Sequence, residues 1–285
     1  MRMALVAVLL TAIGFVDLHH DLLAAAPPGA PSVVAAVLPS SRAVKVGEPA
    51  TAFATMLAVG NTTATDCTIS LPPGLPATFV FQTTTFNLPT GVPNTPVSIP
   101  PNGRQDFIVV VTPTSAFTAS DVQFVFGCSN TDPAPVLSGV NTLLLTASSV
   151  PTPDIVALVA TPTGDGIMNI PGANGIGAFA LATFNAGASA QLTATLDTGP
   201  ASLPVNLSLC QTNPFNGGQC MNPAVPASTV MVQINAGQVP TFGVFVQGIG
   251  TVAFDPAVNR AFVRFRTATG DTVGSTSVAL RTTAP

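Results

Sequence analysis

Apolar and polar residues alternate along this chain in short runs, and beyond the N-terminal segment no run keeps a helical period. In DVQFVFGC, Val122, Phe124, Phe126 and Cys128 share one strand face, and in ATDCTISL, Cys67, Ile69 and Leu71 do the same. Clusters of Pro, Gly, Asn and Asp break these runs, so the pattern predicts short strands joined by tight turns. The expected fold class is all-β, as antiparallel β-sandwich domains of about seven to nine strands each.

The runs also repeat. VVAAVLP (33–39) matches IVALVATP (155–162), and AFATMLAVGN (52–61) matches AFALATFNAG (178–187). Ile99 precedes Phe107 by eight residues, and Ile234 precedes Phe242 by the same interval. A second Phe follows in each copy, Phe117 and Phe254, and then a Phe-bearing strand, DVQFVFG or NRAFVRF. The order predicts two copies of one domain, 27–149 and 150–285, joined at the Pro-rich SSVPTPD (148–154).

The N-terminal segment reads differently. Met1-Arg2 is followed by the apolar run ALVAVLLTAIGFV, a polar stretch from Asp17 to Asp21, and LLAAAPPGAP. This is the grammar of a signal peptide over residues 1–26, with cleavage after Ala24 or Ala25 keeping Pro27 out of the first mature position. The apolar run is shorter than the roughly 20 residues a membrane span requires, so no integral span is expected in the mature chain.

Composition narrows the chemistry. Charged residues are 7% of the 285, the net charge is −4, and the eight Lys and Arg are scattered. A nucleic-acid partner needs a clustered basic face, so none is expected. Both His residues, His19 and His20, fall in the signal segment; Glu48 is the only Glu and Lys45 the only Lys. A mature chain without imidazole lacks the usual general base and the usual zinc ligand, so neither an enzyme nor a metal or other cofactor is expected.

Four cysteines, Cys67, Cys128, Cys210 and Cys220, are an even count in an exported chain and predict two disulfides. Three connectivities exist; Cys67–Cys128 with Cys210–Cys220 keeps each pair inside one domain.

The run PATAFATMLAVGNTTATDCTISLPPGLPATF resembles the immunoglobulin-like modules of exported bacterial surface proteins. VNLSLCQTNPFNGGQC, FDPAVNRAFVRF and GSTSVALRT are similar to a companion module of the same kind. The resemblance spans nearly the whole mature chain. It implies two tandem immunoglobulin-like sandwiches and a secreted, cell-surface or extracellular setting, and carries no catalytic residues with it.

Asp197-Thr198-Gly199 is the strongest enzymatic hint, because aspartic proteases use Asp-Thr-Gly. That chemistry needs a second carboxylate sharing the proton, and the first copy reads CTISLPPG at the aligned place, so a strand-closing turn is the expectation. The glycine groups at 164–166, 172–177 and 248–250 open no helix and are expected to be turns. Asp165, Asn169 and Asn174 lie near one another, and Asp255 and Asn259 bracket a turn, offering calcium-type oxygens without a D-x-D-x-D pattern. Phe262, Arg264 and Arg266 share one strand face, expected to be solvated and to discourage edge pairing. Asn61-Thr62-Thr63 and Asn206-Leu207-Ser208 match the glycosylation sequon. Trp and Tyr are absent and Phe is expected mostly inside, which disfavours sugar stacking.

The expected function is therefore structural: an exported, non-catalytic protein whose rigid modules meet a protein or matrix partner, with weak self-association. The alternatives are a subunit of a fibre or pilus-like assembly, and an aspartic-type hydrolase using Asp197.

Overall fold

The computed structural model describes residues 31–284, so the signal segment proposed for 1–26 lies outside the described residues. Every regular element among them is a strand. In chain order these begin β1 (Ser32–Leu38), β2 (Ser41–Lys45), β3 (Ala50–Val59), β4 (Ala64–Ser70), β5 (Ala77–Thr85), β6 (Leu88–Pro89), β7 (Val97–Ile99), β8 (Arg104–Pro113), β9 (Phe117–Gln123), β10 (Val125–Gly127) and β11 (Thr142–Ser148). They continue with β12 (Ile155–Ala160), β13 (Ile167–Pro171), β14 (Ile176–Asn185), β15 (Ala190–Asp197), β16 (Val205–Asn213), β17 (Gln219–Ala227), β18 (Thr229–Ile234), β19 (Thr241–Gly248), β20 (Arg260–Arg266) and β21 (Thr272–Thr283).

Two compact units result. Among the described residues, one comprises 31–40 and 45–150, the other 41–44 and 151–284. The downstream unit thus takes in a four-residue segment from far upstream, which sequence order does not suggest.

The downstream unit stacks two five-stranded sheets, ordered β12-β14-β19-β16-β17 and β13-β21-β20-β15-β18. The first four of one and the middle three of the other follow the A-B-E-D and G-F-C orders of an immunoglobulin sandwich. Alternation decides the faces. On β14, Phe179 and Leu181 turn inward, while Ala178, Ala180 and Ala182 turn outward. Phe242 and Phe265 meet edge-to-face across the core at 5.4 Å between ring centroids, within the favoured range for aromatic pairs.

The upstream unit repeats this plan. Its first sheet runs β1-β3-β8-β5-β6, position for position the order of β12-β14-β19-β16-β17. The repeated segments 33–39 and 155–162 fall on β1 and β12, and 52–61 and 178–187 on β3 and β14. Phe107 and Phe242 take the same place on β8 and β19, both buried. On the opposite side β9 pairs with β11 and β10 pairs with β4, so β9 and β10 together occupy the place of the single strand β20. The strand is interrupted at Phe124, whose ring is buried and lies 5.9 Å from that of Phe126.

The wholly antiparallel arrangement expected from the alternation needs one correction: β13 runs parallel to β21. The chain leaves β12 on one sheet, turns at residues 161–166 and joins the other sheet beside the last strand.

Candidate functional site

Asp197 ends β15 opposite Phe262 of β20. Its Oδ2 accepts from Arg264 Nε at 2.7 Å and its Oδ1 from the Gly199 amide at 2.8 Å. The Arg264 guanidinium also lies 4.7 Å from the centroid of the Phe262 ring. Gly199 has φ +61°, and a Cβ there would stand 2.8 Å from the Phe262 ring, so both backbone and packing require glycine. Thr198 closes the turn by donating its hydroxyl to the Ala201 carbonyl. Asp-Thr-Gly here is a strand-ending turn whose carboxylate faces a guanidinium, not the second carboxylate that proton sharing requires.

That geometry corrects the expectation for the arginines. β20 lies between β21 and β15, so its charges guard no sheet edge. Arg264 and Arg266 are half-buried, and Phe262 is buried.

The calcium-type oxygens are similarly engaged. Asp165 Oδ1 accepts from the Thr163 hydroxyl at 2.6 Å and the Ile167 amide at 2.9 Å. Burial pushes the Asp165 carboxyl pKa up, but these hydrogen bonds to the charged form outweigh it and hold the pKa below the usual value. Asn169 Oδ1 accepts from Arg281 Nε at 2.7 Å, and Asn174 is exposed. Asp255 and Asn259 cap their own turn: Asp255 Oδ1 accepts from the Ala257 amide, and Asn259 Nδ2 donates to the Ala253 carbonyl. Among the described residues no three His, Cys, Asp or Glu side chains gather to hold a metal.

The cysteines are bonded as Cys67–Cys128 and Cys210–Cys220. Cys67 lies on β4, and Cys128 directly follows β10 in a ladder where Gly127 faces Thr68, so that bridge joins neighbouring strands of one sheet. Cys210–Cys220 ties the β16–β17 hairpin at the sheet edge. In the sequons, Asn61 is exposed in the turn after β3 and Asn206 is exposed on β16.

Three features had no counterpart in the sequence reading. Asp154, buried before β12, accepts from Arg42 Nη2 at 2.8 Å, Arg42 Nε at 2.9 Å and the Ala43 amide at 2.9 Å. Arg260 is buried with carbonyl and hydroxyl partners, Pro256 at 2.8 Å and Ser277 Oγ at 3.0 Å, and burial lowers its pKa to about 10. Two phenylalanines stand outside at hairpin tips, Phe86 (93% exposed) and Phe215 (98%), as exceptions to the mostly inward packing of Phe.

The broadest candidate surface is a sheet. Strands β12, β14, β16, β17 and β19 contain no Asp, Glu, Lys or Arg. Their outward positions include the apolar Leu158, Ile176, Ala178, Ala180, Ala182 and Phe245 and the polar Gln247, Asn206 and Ser208. One signal for it was legible, the uncharged run of 57 residues from 198 to 254. That the run joins β12 and β14 in one sheet was not. Among the described residues no helix is long and apolar enough to cross a membrane.

Fold and surfaces define an all-β protein of immunoglobulin-type sandwich units. No family model matches the chain. No curated protein matches it either. Among solved structures it is similar to the crystal structure of BcpA, the major pilin subunit of Bacillus cereus, at TM-score 0.28 and 10% identity over 89% of this chain and 69% of that one. A variant of the same pilin matches at TM-score 0.25 and 11% identity, over 88% and 70%.

Proposed function

We propose that this chain is an exported, non-catalytic structural protein whose sandwich modules present surface to other molecules outside the cell. The observation that carries the reading is the uncharged five-stranded sheet of the downstream unit, whose outward positions are apolar on β12 and β14 and mixed with neutral polar side chains, Gln247 and Asn206 among them, on β19 and β16. A sheet whose outward face carries apolar and neutral polar side chains and no charge is suited to contact, not to chemistry. The reading is supported by Asp197, which is engaged by Arg264, and by two disulfides, which persist in oxidising compartments. Cell fractionation with intact-mass measurement tests it: the mature chain is expected outside the cytoplasm, shortened at its N-terminus and lacking four thiol protons. A full-length, reduced chain in the cytoplasm would overturn it.

Assembly into a fibre is the second reading, and it would need a contact surface in addition to this sheet. In the downstream unit donor-strand exchange is disfavoured, because β12, β13 and β21, its first and last strands, already fill their sheet positions.

A further inference from the structure

The uncharged sheet of the downstream unit has the size and charge distribution of an interface between two copies of this chain. Its outward positions are set by register. Ala160, Ala180 and Gly243 stand side by side across β12, β14 and β19, and one step along, Ala178 stands beside Phe245. The β14 strand offers small alanines here, and the Phe245 ring lies over Gly243, about 3.5 Å from where a Cβ would sit. Ala178, Ala180, Ala182 and Ile176 are all exposed, Ile176 to 62%.

Charge decides what such a face can accept. With none on its five strands, it offers no complement to a charged ligand. Asp197, Arg260, Arg264, Arg266 and Arg281 all lie on the opposite sheet. Sheets stack about 10 Å apart, so two copies meeting face to face keep these charges about 30 Å apart. That is well beyond the Debye length of about 8 Å at physiological salt, so the charges of the opposite sheet do not oppose contact.

Area decides whether the contact suffices. Five strands spaced about 4.8 Å and up to ten residues long at about 3.4 Å each give a footprint of about 700 Å² per copy. Two copies would bury about 1,400 Å² in total, within the range of stable specific interfaces. A face that meets its own copy does so about a two-fold axis, which closes the assembly at a dimer through this unit.

We infer that the exposed face of the β12-β14-β19-β16-β17 sheet binds the same face of a second copy, giving a two-fold dimer. The inference rests on the proposed contact role of this sheet and names its partner.

Sedimentation of the purified mature chain tests it. The wild type is expected to be a dimer at tens of micromolar protein. Ala180→Lys and Ala178→Glu each place an unpaired charge on the face and are expected to weaken the dimer about a hundredfold or more. Both positions are exposed, so unchanged thermal unfolding of the monomer shows that the fold is kept. Thr229→Lys, on the exposed side of β18 in the other sheet, is expected to leave the dimer intact. A wild type that stays monomeric, a dimer that survives Ala180→Lys, or one equally sensitive to Thr229→Lys would overturn the inference. So would a monomer that floats with neutral phosphatidylcholine vesicles, because the face would then be taking lipid. Export fails or stands by fractionation alone, so the two outcomes are separable.

Discussion

Arg264 Nε donates to Asp197 Oδ2 at 2.7 Å, across two neighbouring strands whose residues are 67 apart in the chain. The Asp197 side chain keeps 36% of its surface in water and that of Arg264 keeps 20%, so solvent screens the pair. Asp197→Asn is therefore expected to lower stability by no more than about 1 kcal/mol. Urea unfolding of both proteins at two salt concentrations measures it, and the difference should shrink at high salt. Incubated with peptide substrates at acid pH, wild type and Asp197→Asn should behave alike; cleavage lost only in the variant would revive the hydrolase reading.

Arg42 and Asp154 make the opposite case. Their side chains are 15% and 4% exposed, and Asp154 also accepts the Ala43 amide. Arg42→Met leaves a carboxylate buried without its cation and is expected to cost about 3–5 kcal/mol. Parallel unfolding of Arg42→Met and Arg264→Met checks the ranking; equal losses would contradict it.

Gly199→Ala forces a side chain into a left-handed backbone conformation and against the Phe262 ring. The expected loss is about 1–3 kcal/mol, exceeding that of Asp197→Asn although no charge changes. Calorimetry of the two variants decides which is larger.

The disulfides should differ in weight. Cys67–Cys128 closes a loop with a separation of 61, and Cys210–Cys220 one of 10. Loop-closure entropy predicts losses of about 4 and about 3 kcal/mol for the respective double Cys→Ser variants. Denaturation of each variant under identical conditions gives the comparison. Proteolysis of the second variant should begin in its β16–β17 hairpin, where the bridge is the edge restraint.

Asp165 predicts acid behaviour. Its folded carboxyl pKa is held below the value of 3.8 expected unfolded, so the folded state favours the ionised form. Its contribution is complete above that value and disappears as pH falls through the lower folded pKa. Asp165→Asn should therefore be less stable than wild type at neutral pH, and the gap should close below about pH 4. A gap that persists at pH 2 would mean the hydrogen bonds do not depend on ionisation.

Much of the fold was readable locally. Alternation placed Val122, Phe124 and Phe126 on the buried face, and the repeated segments fell on corresponding strands of the two units, with AFATMLAVGN and AFALATFNAG one residue out of register, so that Phe53 turns outward where Phe179 turns inward. Alternation says which face a residue takes but not which strand stands beside it. Hence the interior position of β20, the parallel pairing of β13 with β21 and the break at Phe124 were not legible. The Arg42–Asp154 pair, 112 residues apart, carries no local signal at all.

By itself the sequence determined the strand content, the inward and outward faces, the turns and the order in which strands recur, because each depends on residues near one another in the chain. Only the tertiary structure decided which cation meets which carboxylate and that one sheet bears no charge. Those properties belong to strand neighbours, and neighbours in a sandwich come from distant parts of the chain.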